Sequence, residues 1–392
     1  MIFIYSSFYI FILCFMLINQ KAKSIKFIFL AAGFVTLILC LIGLKFSLPF
    51  SGADAVRFER VAWHWSKGSL SDILSTFDVS RSYVISSITA VAYYFSGREP
   101  FIPIIINGIL GLFIMYYSIK LFDEVWGERA PRKTLFFILV AFSPMLTINS
   151  ATILRENYII LFLLIATVHL AKFANTGNVI SAALFILFTI FSSFFHGGTI
   201  LYVLGLPMYL FFGRGTMGYG AKAVWMVIFF IALAFILNYM EFGKLQEIQE
   251  TGISAEGLAD RLAGIQDANT TYLQGLIPSN TFDLLWQTPI RALFFLIKPF
   301  LWDIRAFGHA ISFLDALVWI FIVVTIYKNR RNVYSNPAAL AILLGCIVAI
   351  FAFAYGTSNY GTAIRHRTKF YVEMLVLAAP FFIGLKFKRS KS

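Results

Sequence analysis

Four short stretches of this 392-residue chain carry side chains able to do polar chemistry in an otherwise apolar sequence. They are Ser51-Gly-Ala-Asp54-Ala-Val-Arg57-Phe-Glu59-Arg60, then Arg155-Glu156, then His196-Gly-Gly, and finally Gly361-Thr-Ala-Ile-Arg365-His366-Arg367-Thr-Lys369. Asp54, Glu156 and His196 are the residues suited to taking or passing a proton. Arg57 and Arg60 lie three apart on a helical face with Asp54, and Arg155 adjoins Glu156, so each guanidinium can clamp an anion. Arg365, His366, Arg367 and Lys369 place four potential cations within five residues. That concentration suits phosphate or pyrophosphate, which guanidinium binds through two parallel hydrogen bonds. Each stretch also has a plainer reading. Asp54 follows Ser-Gly and can cap the helix it opens. Arg57 and Arg60 suit the wet side of an amphipathic helix. Arg155-Glu156 suits a surface turn, where an ion pair contributes little, and His196 suits a turn that satisfies it with a backbone group. Taken together, an acid and an outlying basic cluster supply a base for a hydroxyl and charge stabilisation for a departing phosphate.

The elements that position these residues follow from composition. Of the chain, 59% is hydrophobic and 13% charged, with 44 Phe, whereas about a quarter of a soluble domain is charged. A soluble enzyme and a disordered tail are excluded, and the expected class is an all-α, polytopic integral membrane protein forming a single domain over 1–392. Cys14, Cys40 and Cys346 sit in apolar runs without metal-type spacing, against a disulfide framework or a zinc site. The net charge of +13 comes with no nucleic-acid motif and reads as Lys and Arg flanking membrane helices on the cytoplasmic side.

A span needs about 20 apolar residues. Eleven stretches qualify: 2–18, 27–47, 101–122, 135–151, 157–172, 179–195, 198–212, 223–240, 309–327, 338–356 and 370–386. Two shorter ones, 82–97 and 291–302, are read as partly embedded helices on the outer face. Had 82–97 crossed alone, the basic segments KNRRN and KFKRSKS would face outward. With this topology the six cytoplasmic segments hold 17 Lys and Arg against three acids, Asp123, Glu124 and Glu128. The N-terminus is then outside and the C-terminus inside. Lys21, Lys23 and Lys26, followed by a second span, mark the first span as an anchor and not a leader. Two long outer loops remain, 48–100 and 241–308. Within them 54–66 and 241–266 read as amphipathic helices, with Trp63, Trp65, Trp286 and Trp302 at interface depth. All four polar stretches fall on the outer face, where an outward basic cluster calls for an anionic partner such as a lipid headgroup.

The order of features resembles the GT-C class of membrane glycosyltransferases. These have an acid in the first large outer loop, then a half-embedded helix ending in Gly (here Phe95-Ser96-Gly97). A helix of the pattern x-x-x-N-x-x-x-G follows (Ile104 to Gly111, with Asn107), then a span with Pro near its outer end (Ser143-Pro144) and a charged pair (Arg155-Glu156). The closing segment GTSNYGTAIRHRTKF at 356–370 is similar to one in bacterial O-antigen and capsule repeat-unit polymerases (Wzy-type). So is Thr288-Pro-Ile-Arg291 with Lys298-Pro299-Phe-Leu-Trp302.

The resemblance implies an enzyme of the bacterial inner membrane that transfers a glycan between undecaprenyl-pyrophosphate carriers at the periplasmic face. Asp54, Glu156 and His196 would be catalytic. Arg57, Arg60, Arg155, Arg291, Arg365, His366, Arg367 and Lys369 would bind substrate. Implied partners are polyprenyl-pyrophosphate-linked oligosaccharides, membrane lipids and a chain-length regulator, with no nucleic acid. No cofactor is expected; a divalent cation is compatible but no motif indicates one. There is no Walker loop, GxGxxG or Asp-x-Asp. Three other readings share parts of this pattern: a transferase using a polyprenyl-monophosphate monosaccharide, a ligase onto lipid A core, and a non-enzymatic lipid-linked glycan transporter. The transporter would carry charges deep in its spans and an inverted pair of broken helices. No such pair is evident, and Asp315 and Glu373 lie near helix ends.

The topology predicts that, with Cys14, Cys40 and Cys346 replaced by Ser, a membrane-impermeant thiol reagent labels Ser254→Cys in intact cells and spares Ser392→Cys. The reverse pattern would overturn it.

Overall fold

The computed structural model describes residues 2–77, 83–213, 270–273 and 281–382, together with positions 218, 220, 223, 224, 226, 227 and 276. The span expected at 223–240 lies mostly outside these residues, and the helix expected at 241–266 and the basic tail lie wholly outside. The described chain is built of helices: α1 (Ile2–Ile18), α2 (Lys23–Gly43), α3 (Gly52–Trp65), α4 (Leu70–Ser75), α5 (Val84–Ser96), α6 (Phe101–Trp126), α7 (Lys133–Ala141), α8 (Pro144–Ser150), α9 (Glu156–Thr176) and α10 (Val179–Phe195). A 3₁₀ segment, Gly197–Leu204, runs into α11 (Gly205–Phe212). Then come α12 (Thr281–Ile297), α13 (Phe307–Lys328), α14 (Arg330–Ser335), α15 (Pro337–Tyr355), α16 (Tyr360–Arg367) and α17 (Tyr371–Ala378). No strand occurs among the described residues; one isolated bridge pairs Thr271 with Asn359.

Among the described residues five helices, α2, α6, α9, α13 and α15, are long and apolar enough to cross a membrane. The pair α7–α8 qualifies as a sixth if its 50° bend is counted within one span. The bend has a local cause: Pro144 cannot continue the α7 hydrogen-bond ladder and pushes Ser143 into extended backbone. The stretch expected as a span at 198–212 is a 3₁₀ segment joined to a short α-helix, and 370–386 is interrupted after Ala378 by a 3₁₀ turn containing Pro380. In the first long loop, α3 and α5 form where amphipathic and half-embedded helices are expected. They are joined by a fork of Arg98 Nε and Nη2 on the Glu59 carboxylate, both at 2.9 Å, to which Tyr93 adds its hydroxyl at 3.2 Å. α12 is amphipathic in the opposite sense to a soluble helix. Phe282, Trp286, Ile290 and Leu293 lie exposed along it, while Gln287, Arg291, Ala292 and Phe295 turn inward.

Side-chain contacts define one end of the bundle through the turns that carry basic flanks. Lys133 pairs with Asp123 at 2.5 Å, Asn175 donates to the Glu124 carbonyl at 3.0 Å, and Asn336 donates to the Val125 carbonyl at 2.7 Å. Trp126 donates to the Val376 carbonyl at 2.8 Å. The four polar stretches sit at the opposite helix ends. Between the two ends, small residues let helices close up. A Cβ on Gly205 would lie 2.6 Å from the Gly345 Cα, so α11 and α15 meet backbone to backbone.

Gly205→Ala has no flexible side chain to push aside and is expected to cost about 1–3 kcal/mol. A thermal unfolding midpoint in detergent equal to that of the unmutated protein would contradict the contact.

Candidate functional site

Residues from two distant stretches converge on Arg365. The short helix α16 that carries it is started by Asn359, whose Oδ1 accepts from the backbone N–H of Gly361 at 2.7 Å and Thr362 at 3.3 Å. From α16 the Arg365 guanidinium reaches two carboxylates. Nε and Nη2 donate to Glu156 Oε1 at 3.1 and 2.7 Å, and Nη1 donates to Asp54 Oδ2 at 2.5 Å. Glu156 is the first residue of α9, where the helix dipole favours a negative charge. Its side chain is 2% exposed, that of Arg365 is 18% exposed, and that of Asp54 is 43% exposed. The site thus grades from a sealed carboxylate to one open to solvent. Burial works against the Arg365 charge, but Glu156 and Asp54 outweigh it and hold the guanidinium above its usual pKa.

Asp54 lies in the first turn of α3 and is not its cap. Ser51 holds the cap position, and the Asp54 carboxylate goes to Arg365. The turn leading into Glu156 is braced from α6. The Asn107 amide donates to the Thr152 carbonyl and, at 2.9 Å, to the Leu154 carbonyl. The Asn157 amide donates to the Asn107 carbonyl at 3.0 Å and the Ser150 hydroxyl at 2.9 Å. Arg155 lies over the Phe58 ring at 5.9 Å and interacts electrostatically with Glu156, Asp54 and Arg365.

A second group adjoins the first. Lys369, fully buried, donates from its ammonium nitrogen to His366 Nδ1 at 2.8 Å. The His366 ring stands edge-on to His196 at 5.0 Å, and Phe353 packs against both, at 4.8 and 5.1 Å. Lys369 lies over Phe353 at 4.7 Å and also acts electrostatically on Glu156. His196 is therefore joined to the closing basic motif through the His366 and Phe353 rings.

Other residues of the predicted set lie elsewhere. Arg367 is fully buried, and its five N–H groups are engaged within the protein. Nε and Nη2 each reach Asp315 Oδ2 at 2.7 Å, and Nη2 also reaches the Ser312 carbonyl at 3.2 Å. Nη1 bonds the carbonyls of Phe295, Leu296 and Lys298 at 3.1, 2.9 and 2.8 Å. Arg367 thereby fastens the end of α12 to α13 and α16 and keeps no donor for a substrate. Arg57 lies over the Tyr83 ring at 5.2 Å and Arg60 is exposed one turn on; the ion-pair partner of Asp54 is Arg365 and neither of these. Arg291 is buried in α12 beside Gln287 and the Leu276 carbonyl, apart from the Arg365 cluster. Asp315, Asn107 and Asn157 are structural supports absent from the predicted set. Asp315, expected near a helix end, lies about two turns inside α13 and is buried there, and a lone acid inside an apolar span requires a partner.

Among the described residues no group of three or more His, Cys, Asp or Glu side chains is arranged to hold a metal ion. The arrangement is that of an all-helical membrane protein with a charged cluster at one set of helix ends. Comparison with protein-family models, curated proteins and solved structures finds no match.

The two arginines predict opposite phenotypes. Arg367→Ala leaves Asp315 buried and uncompensated and should lower stability by about 3–5 kcal/mol, with Asp315→Ala in the same chain recovering part of the loss. Arg365→Lys keeps a charge beside Glu156 and should melt close to the unmutated protein. Equal destabilisation by both would contradict the division of labour.

Proposed function

We propose that this chain is a glycosyltransferase of the bacterial inner membrane that polymerises polysaccharide repeat units carried on undecaprenyl pyrophosphate at the periplasmic face. In this reading eleven spans cross the membrane, the N-terminus is periplasmic and the C-terminus cytoplasmic. Its partners are lipid-linked oligosaccharides, membrane lipids and a chain-length regulator. The observation that carries it is the bridging of Asp54 and Glu156 by Arg365, residues 311 and 209 positions apart in sequence. It supplies a solvent-facing carboxylate, a guanidinium and a buried counter-ion at one point, the minimum set for glycosyl transfer from a phosphorylated lipid.

The chemistry is balanced without an added cofactor. The acceptor hydroxyl attacks the anomeric carbon of the donor glycan and its proton passes to the Asp54 carboxylate. The anomeric carbon–oxygen bond to pyrophosphate breaks, a new glycosidic bond forms, and the lipid pyrophosphate departs with the bonding pair. Arg365 stabilises the charge that grows on that leaving group. Arg155 and Lys369 add to the positive field, and Glu156 holds Arg365 in place from behind. Undecaprenyl pyrophosphate carries the driving energy, so a nucleotide is not needed at the outer face.

Deleting the gene should remove long-chain surface polysaccharide on a gel while single repeat units remain. Loss of one sugar from every repeat would point instead to a monosaccharide transferase. In the complemented strain, Asp54→Asn should reduce polymerisation by about 10²–10⁴, the range of general acid–base catalysis, at unchanged protein level. Normal chain lengths from Asp54→Asn would remove the base from the account.

A further inference from the structure

The two halves of the Arg365 clamp differ in a way that assigns them different jobs. Glu156 is sealed, sits at a helix start, and takes both Nε and Nη2. Asp54 takes only Nη1, through one oxygen, and its side chain is 43% exposed. Asp54 also belongs to α3, whose other anchors, Phe58 under Arg155 and Glu59 in the Arg98 fork, do not involve Arg365. The Asp54 carboxylate can therefore leave Arg365 without unseating α3, whereas Glu156 cannot leave without stranding a buried charge.

We propose that the Arg365 Nη1 seat is an anion-binding site which the protein's own Asp54 carboxylate fills in the resting state, and that the phosphate of an incoming lipid pyrophosphate displaces it. This rests on the glycosyltransferase reading and adds an order of events to it. While Asp54 accepts from Arg365, its Oδ2 is occupied by that hydrogen bond and is not available to an incoming hydroxyl. When a phosphate oxygen takes over Nη1, Asp54 is released next to the donor it must serve. A pyrophosphate outcompetes the carboxylate because it brings more charge and several acceptor oxygens to the same guanidinium. The contact is open on the Asp54 side, where a single oxygen meets a single guanidinium nitrogen, so an incoming anion can reach and replace it. Base activation then depends on donor binding, and an empty site does not deprotonate stray hydroxyls. The exchange moves one side chain and transfers no atoms; Asp54 gains its proton only in the later attack.

The test is binding of farnesyl pyrophosphate, and separately of inorganic pyrophosphate, to the full-length purified protein in detergent. Removing the competitor should help the ligand. Asp54→Asn and Asp54→Ser should each bind farnesyl pyrophosphate about two- to fivefold tighter than the unmutated protein, the factor corresponding to such an ion pair. Glu59→Gln, an acid of the same helix held by Arg98, should change affinity less than twofold, which separates exchange from a general loss of negative field. In turnover Asp54→Asn should lower KM as well as kcat. Tightening of inorganic pyrophosphate by the same factor identifies the phosphate as the shared element; tightening of the farnesyl ligand alone places the lipid in the seat as well, and either result supports exchange. If the unmutated protein binds farnesyl pyrophosphate and the Asp54 variants bind it equally or more weakly, the exchange is wrong and the glycosyltransferase reading stands. If Glu59→Gln tightens binding as much as Asp54→Asn, a diffuse field replaces the exchange. If neither the unmutated nor the variant protein binds either ligand, both readings fall.

Discussion

A guanidinium shared by two carboxylates ties together residues at one set of helix ends in this bundle. Arg365 comes from a short helix near the end of the described chain, Asp54 from the first long loop, and Glu156 from the start of a spanning helix. Nothing in their local sequences keeps them together. Removing Arg365 would leave Glu156 buried with its nearest hydrogen-bond donor gone, a cost that nearby positive charge only partly offsets. The turn before α9 and the orientation of α16 are consequently conditions on one another, while α3, held also by Phe58 and Glu59, adds Asp54 to the clamp. The Asn107 and Asn157 braces matter for the same reason: they hold the backbone from which Glu156 points.

The closing motif Arg365-His366-Arg367 reads in sequence as one basic patch, and helix geometry divides it into three. Residues two apart on an α-helix point about 200° apart, from its 3.6 residues per turn. Arg365 accordingly faces the acids of α3 and α9, while Arg367 faces Asp315 and the carbonyls that end α12. His366 and Lys369, three apart, share a third direction and meet His196 and Phe353. Counting charges finds the cluster; only the helical period, once the helix limits are known, assigns each charge to a neighbour.

That the four polar stretches share one set of helix ends was legible, because counting Lys and Arg around apolar runs assigns each turn to one end of the bundle or the other. The five longest spans and the two helices of the first loop were legible from length and periodicity. Interruptions were not. The break at Ser143-Pro144 and the irregular turns flanking α11 and α17 depend on neighbours that satisfy the freed backbone groups, which a hydropathy window does not see. The pairing of Arg367 with Asp315 was hidden by its 52-residue separation in sequence. Arg57 and Arg60 were legible as members of an amphipathic helix, but spacing alone does not tell a solvated face from a ligand face, and the structure shows Arg57 over the Tyr83 ring and both residues exposed.

The same geometry gives the proposed enzyme its economy. One buried acid fixes the guanidinium, one exposed acid accepts a proton, and the leaving group supplies the energy. The central claim is that this Arg365-centred site consumes a lipid-pyrophosphate glycan. The most direct test is single-turnover incubation of proteoliposomes containing the purified protein with an undecaprenyl-pyrophosphate-linked oligosaccharide, followed by mass spectrometry of the lipids. The account predicts dimeric and longer glycans together with free undecaprenyl pyrophosphate, both lost in Arg365→Gln. Unchanged lipid-linked oligosaccharide with the unmutated protein, or equal elongation by Arg365→Gln, would contradict it.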